Sequence, residues 1–185
     1  PVKARAEAPT CFVPLFESLY SPRGPSTDAR NTRAWGVGNS LHPRAMFDEA
    51  EAFDAEANET GGEDDRLFAA WAEAGAAFAW AADAVVVEHI GPERTRVIYG
   101  MKRAFAYGQA PCETAWAQRN ALQLARHISV GALQMLVFGL GAGVVALASP
   151  QRALLLLNRA AQGAGKIFWF KPQRFYGAAL AARSA

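Results

Sequence analysis

Apolar residues at helical spacing begin directly after a cluster of carboxylates in the string "TGGEDDRLF". Leu67, Phe68 and Trp71 predict a short helix, and Gly75 stops the pattern where a left-handed cap would lie. The first turn of this helix contains three carboxylates: Glu63, Asp64 and Asp65. The unpaired N–H groups and the dipole of a helix start stabilise negative charge, so capping alone accounts for these side chains. It does not account for Gly61-Gly62, because a glycine pair indicates backbone that approaches another group closely or moves.

The segments on either side of this helix have the residue patterns of short strands and of a further helix. Asn39 to Phe47 is typical of a short strand that passes into a helix, and Ala76–Ala81 and Ala84–His89 predict two buried strands, the second with three consecutive valines. A Gly-Pro turn then precedes a helix with four apolar residues on one face: Val97, Ile98, Met101 and Phe105. Helices that alternate with short buried strands indicate an α/β layer.

The most apolar stretch runs from Ile128 to Ser149 without a charged residue, and Pro150 ends it. A helix of about twenty residues is long enough for a hydrocarbon core of about 30 Å. The next segment interleaves Leu, Phe and Trp with Arg and Lys, which favours a helix at an anionic membrane surface with Trp169 and Tyr176 among the headgroups. The alternative is a pair of helices packed on a soluble core. Because bases flank the apolar stretch on both sides, the pattern leaves open whether it crosses the membrane or dips into it.

Acidic and basic residues are distributed unevenly along the chain, although its net charge is only +2. From Thr114 onward there is no Asp or Glu and there are eight bases, a net charge of +8. The first 113 residues contain all 17 acids and eleven bases, a net charge of −6. Such asymmetry predicts two different environments for the two parts.

Length and composition add few limits. The 185 residues suffice for one domain with an appendage, and the two cysteines match no metal or disulfide framework. His42, His89 and His127 are too scattered to form a metal site on their own. The opening "PVKARAEAPTCF" has no initiator Met and no apolar signal core, so we expect a piece of a longer protein.

Four strings in this order resemble the C-terminal half of the catalytic domain of family 2 glycosyltransferases: "GNSLHPRAMF", "FDEAEAFDAEANETGGEDDRLFAAWAEAG", "AVVVEHIGPER" and "MKRAFAYG". The chain is most similar to bacterial members that attach sugars in exopolysaccharide or other surface-glycan assembly. The resemblance covers roughly Trp35 to Gly108, and the apolar hairpin downstream resembles the membrane-associated tail of such enzymes. It implies an α/β fold, the C-terminal half of a GT-A (Rossmann-like) domain, in residues 1–118, followed by membrane-associated helices in residues 119–185.

The resemblance also implies site residues. Asp64 would be the catalytic base of an inverting transfer, Glu63 would orient the acceptor or Asp64, and Gly61 and Gly62 would let a bulky acceptor approach. Asp65 is expected to be a plain helix-start charge. A base must lie within about 3 Å of the hydroxyl that it deprotonates, which the start of a glycine-flanked helix allows.

Four other residues each have a possible ligand-binding role and a possible purely structural role. His89, at the end of a strand, is expected to help bind metal or diphosphate, or else to be satisfied by backbone. Lys102 and Arg103 suit diphosphate charge, or else are solvated helix charges. Asn39 is expected to contact donor or acceptor through its amide, or else to cap the following turn.

One part of the family pattern is missing, because the sequence contains no Asp-X-Asp motif. In the family this motif binds Mg²⁺ or Mn²⁺ on the donor diphosphate, so a divalent metal is expected only for the complete enzyme, and this chain alone is expected to be inactive. The implied partners are a nucleoside-diphosphate sugar, a glycan or lipid-linked acceptor and membrane lipids, at the cytoplasmic face of the bacterial inner membrane. The alternative function is a non-catalytic, membrane-bound interaction module. Nucleic acid is not an expected partner, because the bases interleave with Leu, Val and Phe and form no polar stripe.

Overall fold

The structure, a computed structural model, is a mixed α/β fold that is mostly helical. It describes residues 1–6, 12–21, 24–30, 37–48 and 63–173. Within this part, short strands form two separate two-stranded sheets, and long helices follow them in the chain. The prediction of an α/β fold is confirmed at this level.

The described residues divide into two compact units. The first contains Pro1–Arg5 and Tyr20–Glu88, and the second contains Ala6–Leu19 and His89–Phe175, each as far as the structure describes them. This division differs from the predicted boundary between residues 118 and 119. The helix that begins at Val97 packs against the two helices that follow it in the chain. Its contacts therefore lie in the second unit.

The first unit consists of short elements. Its helices are α2 (Ala45–Asp48) and α3 (Glu63–Glu73), with a 3₁₀ turn at Val37–Asn39. Its strands are β1 (Val2–Arg5), β2 (Ala29–Arg30), β3 (Ala79–Trp80) and β4 (Val86–His89), whose last residue falls in the second unit. β1 pairs with β4, and β2 pairs antiparallel with β3, with Ala29 opposite Trp80.

The core of the first unit lies on α3. Leu67, Phe68 and Trp71 are buried, and four partly buried residues pack against them: Met46, Phe47, Ala76 and Phe78. Gly75 ends the helix with φ +86°, in the left-handed region that only glycine adopts without strain. The helix predicted from "EDDRLFAAW", its buried face and its cap are therefore all confirmed.

Two predictions for the first unit are wrong. Asn39 to Phe47 contains no strand, because Asn39 ends the 3₁₀ turn and the chain reaches α2 through an irregular Ser40–Arg44 segment. The strands near residues 76–89 exist, but the second is not buried. Val85, Val86 and Val87 are 38–53% exposed, because β4 pairs only with β1 and no described element covers its faces.

The second unit is helical. It contains α1 (Val13–Tyr20) up to Leu19, a 3₁₀ turn at Pro92–Thr95, α4 (Val97–Ala117), α5 (Ala121–Ala146) and α6 (Pro150–Ile167). α6 contacts both α4 and α5. The predicted helices after residue 96 and residue 127 are confirmed, whereas α1 was not predicted.

Small residues bring these helices close together. A Cβ on Gly108 of α4 would collide with the carbonyl oxygen of Gln162, and a Cβ on Gly165 of α6 would collide with that of Phe105. The buried face of α4 is accordingly lined by small and polar residues: Gly100, Ala104, Gly108, Gln109, Cys112 and Ala115. The predicted apolar face is therefore wrong for Ile98, which is 61% exposed.

Polar side chains begin the last two helices. The Asn120 side chain accepts a hydrogen bond from the backbone N–H of Gln123, and the Ser149 hydroxyl accepts one from that of Arg152. Pro150 follows Ser149 at the first helical position, where its missing N–H costs nothing. Among the described residues, α5 is the one helix long and apolar enough to cross a membrane.

Candidate functional site

A cleft of about 440 Å³ opens beside α3 in the first unit. Apolar and aromatic side chains form much of its wall, including Phe68, Phe78 and Trp80, and polar groups are contributed by Asn39, Ser40 and His42. Backbone from Ala77 to Ala81 forms one side. The cleft therefore offers ring faces and hydrogen-bonding groups to the same ligand.

The start of α3 has a carboxylate one helical turn before Phe68, a residue that lines the cleft. Asp64 precedes Phe68 by four residues, which places both on one face of the helix, one turn apart. Asp64 is partly exposed, and its Oδ1 accepts a hydrogen bond of 2.9 Å from the backbone N–H of Asp65. This contact is local to the helix start and leaves Oδ2 for other partners. Gly61, Gly62 and the side chain of Glu63 lie outside the described residues.

Asn39 lines the cleft, but its amide group is engaged by the protein. Its Nδ2 donates to the carbonyl oxygens of Pro1 at 3.1 Å and Ala84 at 2.7 Å. An asparagine amide has two N–H donors, so both are used in tying the turn to the ends of the chain segments that pair as β1 and β4. A ligand contact through Asn39 would therefore use its Oδ1.

His42 is a residue of this cleft that sequence reasoning set aside. Its ring centroid lies 5.1 Å from that of Trp71, 5.6 Å from that of Phe68 and 5.9 Å from that of Phe47. Its Nε2 is 2.7 Å from the Ser40 hydroxyl oxygen. The aromatic rings fix the orientation of the imidazole. The available signal was its place three residues after Asn39 and shortly before α2. His42 was considered only as a metal ligand, so this signal was not used.

Trp80 lines the cleft, and a hydrogen bond and a packing contact hold its ring in place. Its Nε1–H donates to the carbonyl oxygen of Pro25 at 2.9 Å. Its ring occupies the space that a side chain at Gly24 would need. The backbone N–H of Ala82 also donates to Asp28 Oδ1 at 2.8 Å, so the 24–30 segment supports this side of the cleft.

The remaining predicted residues belong to the second unit. Lys102 is exposed on α4. Arg103 donates through Nη1 to the carbonyl oxygen of Leu19 at 3.2 Å and lies over the Tyr107 ring, with Cζ 4.9 Å from the centroid. These contacts give Arg103 a structural part between α1 and α4. His89 is exposed at the end of β4.

A metal site is not supplied by the part of the chain that the structure describes. Within it, no three His, Cys, Asp or Glu side chains cluster closely enough to bind an ion. The Mg²⁺ or Mn²⁺ implied by the resemblance therefore does not fit the described residues, and we assign no chemical step to a metal.

Comparison of the chain with family models, with curated proteins and with solved structures gave no match. A function is therefore inferred from the chemistry of the cleft and of α3, the helix that contributes Phe68 to it.

Proposed function

We propose that this chain is the acceptor-side part of an inverting glycosyltransferase with a GT-A fold. The enzyme would transfer a sugar from a nucleoside diphosphate to a glycan or lipid-linked acceptor in bacterial surface polysaccharide synthesis. Asp64 is the catalytic base in this proposal, and the cleft beside α3 binds the acceptor sugar.

One observation carries the proposal. Asp64 is in the first turn of the helix whose Phe68, one turn further on, lines a cleft that is also lined by Asn39 and His42. The unpaired N–H groups at the start of a helix favour a negatively charged side chain there. In the proposal, Asp64 reaches a hydroxyl of the acceptor bound in this cleft, because a general base must lie within about 3 Å of the group that it deprotonates.

The cleft has the chemistry of a sugar site. A pyranose ring presents C–H groups on its faces and hydroxyl groups around its edge. Phe78 and Trp80 offer aromatic surface to the C–H faces, while His42, Ser40 and Asn39 Oδ1 offer hydrogen bonds to the hydroxyl groups.

The proposed transfer is a single displacement at the anomeric carbon of the donor sugar. An Asp64 carboxylate oxygen takes the proton from an acceptor hydroxyl, and the resulting oxygen nucleophile attacks the anomeric carbon of the donor. The bond from that carbon to the diphosphate oxygen breaks, and the nucleoside diphosphate leaves with the electron pair. Attack from the face opposite the leaving group inverts the anomeric centre.

The helices of the second unit support a membrane location. They contain the one described helix suited to a bilayer, and the sequence from Thr114 onward has bases without acids. Such a surface is attracted to anionic lipid headgroups. In the proposal, the second unit associates with membrane lipids at the cytoplasmic face of the inner membrane, where lipid-linked acceptors are within reach.

Sugar binding to the 185-residue chain in detergent micelles tests the proposal. We would titrate ¹⁵N-labelled protein with methyl glycosides of glucose, galactose, mannose and N-acetylglucosamine, and follow backbone amide shifts. Binding of at least one glycoside at millimolar concentration, equivalent to about −4 kcal/mol, is expected to shift the amides of Ser40, His42 and Phe78. A second cleft of about 560 Å³, lined by Trp116, Arg119 and Leu124, is the internal control and should not respond.

Two variants make the outcome specific. Phe78→Ala should weaken binding, whereas Trp116→Ala, in the control cleft, should not. Absence of a shift with all four glycosides, or equal shifts at both clefts, would contradict the proposal and favour the non-catalytic interaction module.

A further inference from the structure

The outward face of α5 is a straight stripe of large apolar side chains. They are exposed and recur at alternating steps of three and four residues: Val130, Leu133, Val137, Leu140, Val144 and Leu147. We call these six residues the apolar stripe. Exposure of 67% at Leu140, 71% at Val144 and 92% at Leu147 shows that no described part of the chain covers it.

The polarity of α5 is the reverse of that of a helix on a soluble core. Its inward positions are small or polar: Gly131 and Ala142 are buried, and Gln134 Oε1 accepts a hydrogen bond from Lys166 Nζ of α6. Large apolar groups outside and polar groups inside suit a helix whose outer face contacts lipid.

α6 lies antiparallel along α5 and fixes which depths its residues can occupy. Close contacts join Gly131 to Gly163 near one end and Gly141 to Leu156 further along. Arg159 lies between residues 156 and 163 of α6, so it is beside the middle of the charge-free part of α5. It is exposed, as is Arg152 seven residues before it.

This packing conflicts with α5 crossing a bilayer. A crossing orientation would place Arg159 near the centre of the hydrocarbon, where an arginine is strongly disfavoured. It would also spread Arg152, Arg159 and Lys166 over about 21 Å of depth, since they are separated by steps of seven residues at 1.5 Å each. If both helices lie parallel to the membrane surface, the exposed Arg152 and Arg159 share one depth, which can be that of the lipid phosphates, while Lys166 keeps its hydrogen bond to Gln134.

We infer that α5 and α6 lie in the plane of the membrane, with the apolar stripe immersed in one leaflet and the exposed α6 bases at its anionic headgroups. Trp116 and Trp169, whose ring centroids are 5.4 Å apart, lie near one end of the pair, and Trp116 is 64% exposed. Aromatic rings of this kind settle at the membrane interface. The inference rests on the membrane association in the proposed function, but not on its chemistry.

Depth-dependent quenching tests the orientation in the full chain. Leu133→Cys, Leu140→Cys and Leu147→Cys would each carry an environment-sensitive fluorophore, in a Cys11→Ser background, since Cys112 is buried. The vesicles would contain phosphatidylcholine and phosphatidylglycerol at three to one, with quenchers at stepped acyl-chain depths. All three positions are exposed, so labelling leaves the packing intact. A label at Glu73→Cys of α3 is the unquenched control.

The in-plane orientation predicts that the three labels lie at the same depth, within about 3 Å. Crossing predicts steps of about 10 Å between successive labels, because seven helical residues rise that far, and that result would overturn the inference. Quenching no greater than at Glu73 would overturn it too. Neither result depends on sugar binding or transfer, so a failure here is distinct from a failure of the glycosyltransferase proposal.

Neutralising the exposed α6 bases provides a second test. Arg152→Gln with Arg159→Gln should weaken binding to these anionic vesicles by about fivefold per arginine, with a smaller effect on pure phosphatidylcholine. Lys3→Gln with Arg44→Gln removes the same charge from exposed positions of the first unit and should leave binding unchanged. Equal losses for the two double variants, or no loss for the α6 pair, would contradict the assignment of the α6 bases to the headgroups.

Discussion

At the scale of single residues, glycines in this chain do two different kinds of work. Gly75 adopts a left-handed conformation, which is a local requirement and can be predicted from its place after an apolar pattern. Gly108 and Gly165 permit backbone contact between α4 and α6, which depends on the partner helix. A sequence pattern cannot indicate that requirement, because it contains no information on which helix lies opposite.

A matched pair of glycine substitutions separates these effects. Gly108→Ala should destabilise the second unit by about 1–3 kcal/mol, because the new Cβ would collide with the Gln162 carbonyl and the helices must part. Gly143→Ala on α5 meets no atom within 4 Å and should stabilise by about 0.5–1 kcal/mol through higher helix propensity. Urea unfolding followed by helical circular dichroism measures both; equal changes would rule out the close approach at Gly108.

Cys112 predicts a specific pH dependence. Burial raises the pKa of its thiol above the usual value; nearby Lys166 lowers the pKa and Glu113 raises it, with smaller effects. Because the folded-state pKa is above the unfolded one, this contribution to stability is complete below about pH 8.5 and is lost as pH rises through the folded pKa.

The measurement is the free energy of unfolding between pH 7 and pH 10. The chain should lose stability above pH 8.5 more steeply than Cys112→Ala, by up to about 1.4 kcal/mol per pH unit. Parallel curves for the two proteins would show that the thiol does not ionise on unfolding in this range.

At the scale of elements, the sequence predicted the longer helices reliably, whereas it did not predict which strands form or whether they are covered. α3, α5 and α6 were predicted because caps, apolar period and Pro150 act within a few residues. The predicted strand at Asn39 failed because the Asn39 amide bonds to Pro1 and Ala84, distant residues that shape the segment into a turn. The burial of the valines in β4 failed because their run is typical of a covered sheet, and β4 pairs only with β1 among the described residues.

Gln109 connects α4 to the segment after α6. It is 2% exposed; its Nε2 donates to the carbonyl oxygens of Phe168 and Lys171, and its Oε1 accepts from the backbone N–H of Gln173. Gln109→Leu keeps the shape but leaves three backbone groups without these partners, so it should cost about 1–3 kcal/mol.

Hydrogen exchange at the Gln173 amide, with urea unfolding, tests this connection. Exchange should accelerate in Gln109→Leu, while Gln118→Leu at an exposed position should change stability by less than about 0.5 kcal/mol. Unchanged protection at Gln173 would mean that Gln109 does not fix the segment.

At the scale of the whole molecule, the structure brings together some of the residues that the sequence singled out. Asn39 lines the cleft and Asp64 lies one helical turn before Phe68, which also lines it, and the roles of both in binding and catalysis stay predictions. His42 and Trp80 were not assigned to a ligand site, since their place in the cleft depends on contacts with Trp71 and Pro25. The boundary between the two units also depends on tertiary contacts, namely those of α4 with α6, which the sequence pattern does not indicate.

Under the proposed function, the 185-residue chain alone should not transfer sugar. With Mg²⁺ or Mn²⁺ and each common nucleoside-diphosphate sugar, product should stay at the level of the protein-free reaction, because the sequence has no Asp-X-Asp for the donor diphosphate. The assay is the release of nucleoside diphosphate in the presence of acceptor glycans. Turnover by the purified chain would contradict the proposal that donor binding belongs to a part of the enzyme outside this chain.

The proposed role of Asp64 is tested most directly by substituting two neighbouring carboxylates in the full-length transferase to which this chain is proposed to belong. Asp64→Asn should lower kcat by about 10²–10⁴-fold, the usual contribution of a general base, while sugar binding and helix content remain. Asp65→Asn, at the next position of the same helix turn, removes equal charge and should leave kcat within about threefold. Near-normal turnover by Asp64→Asn, or equal losses for both variants, would contradict the account.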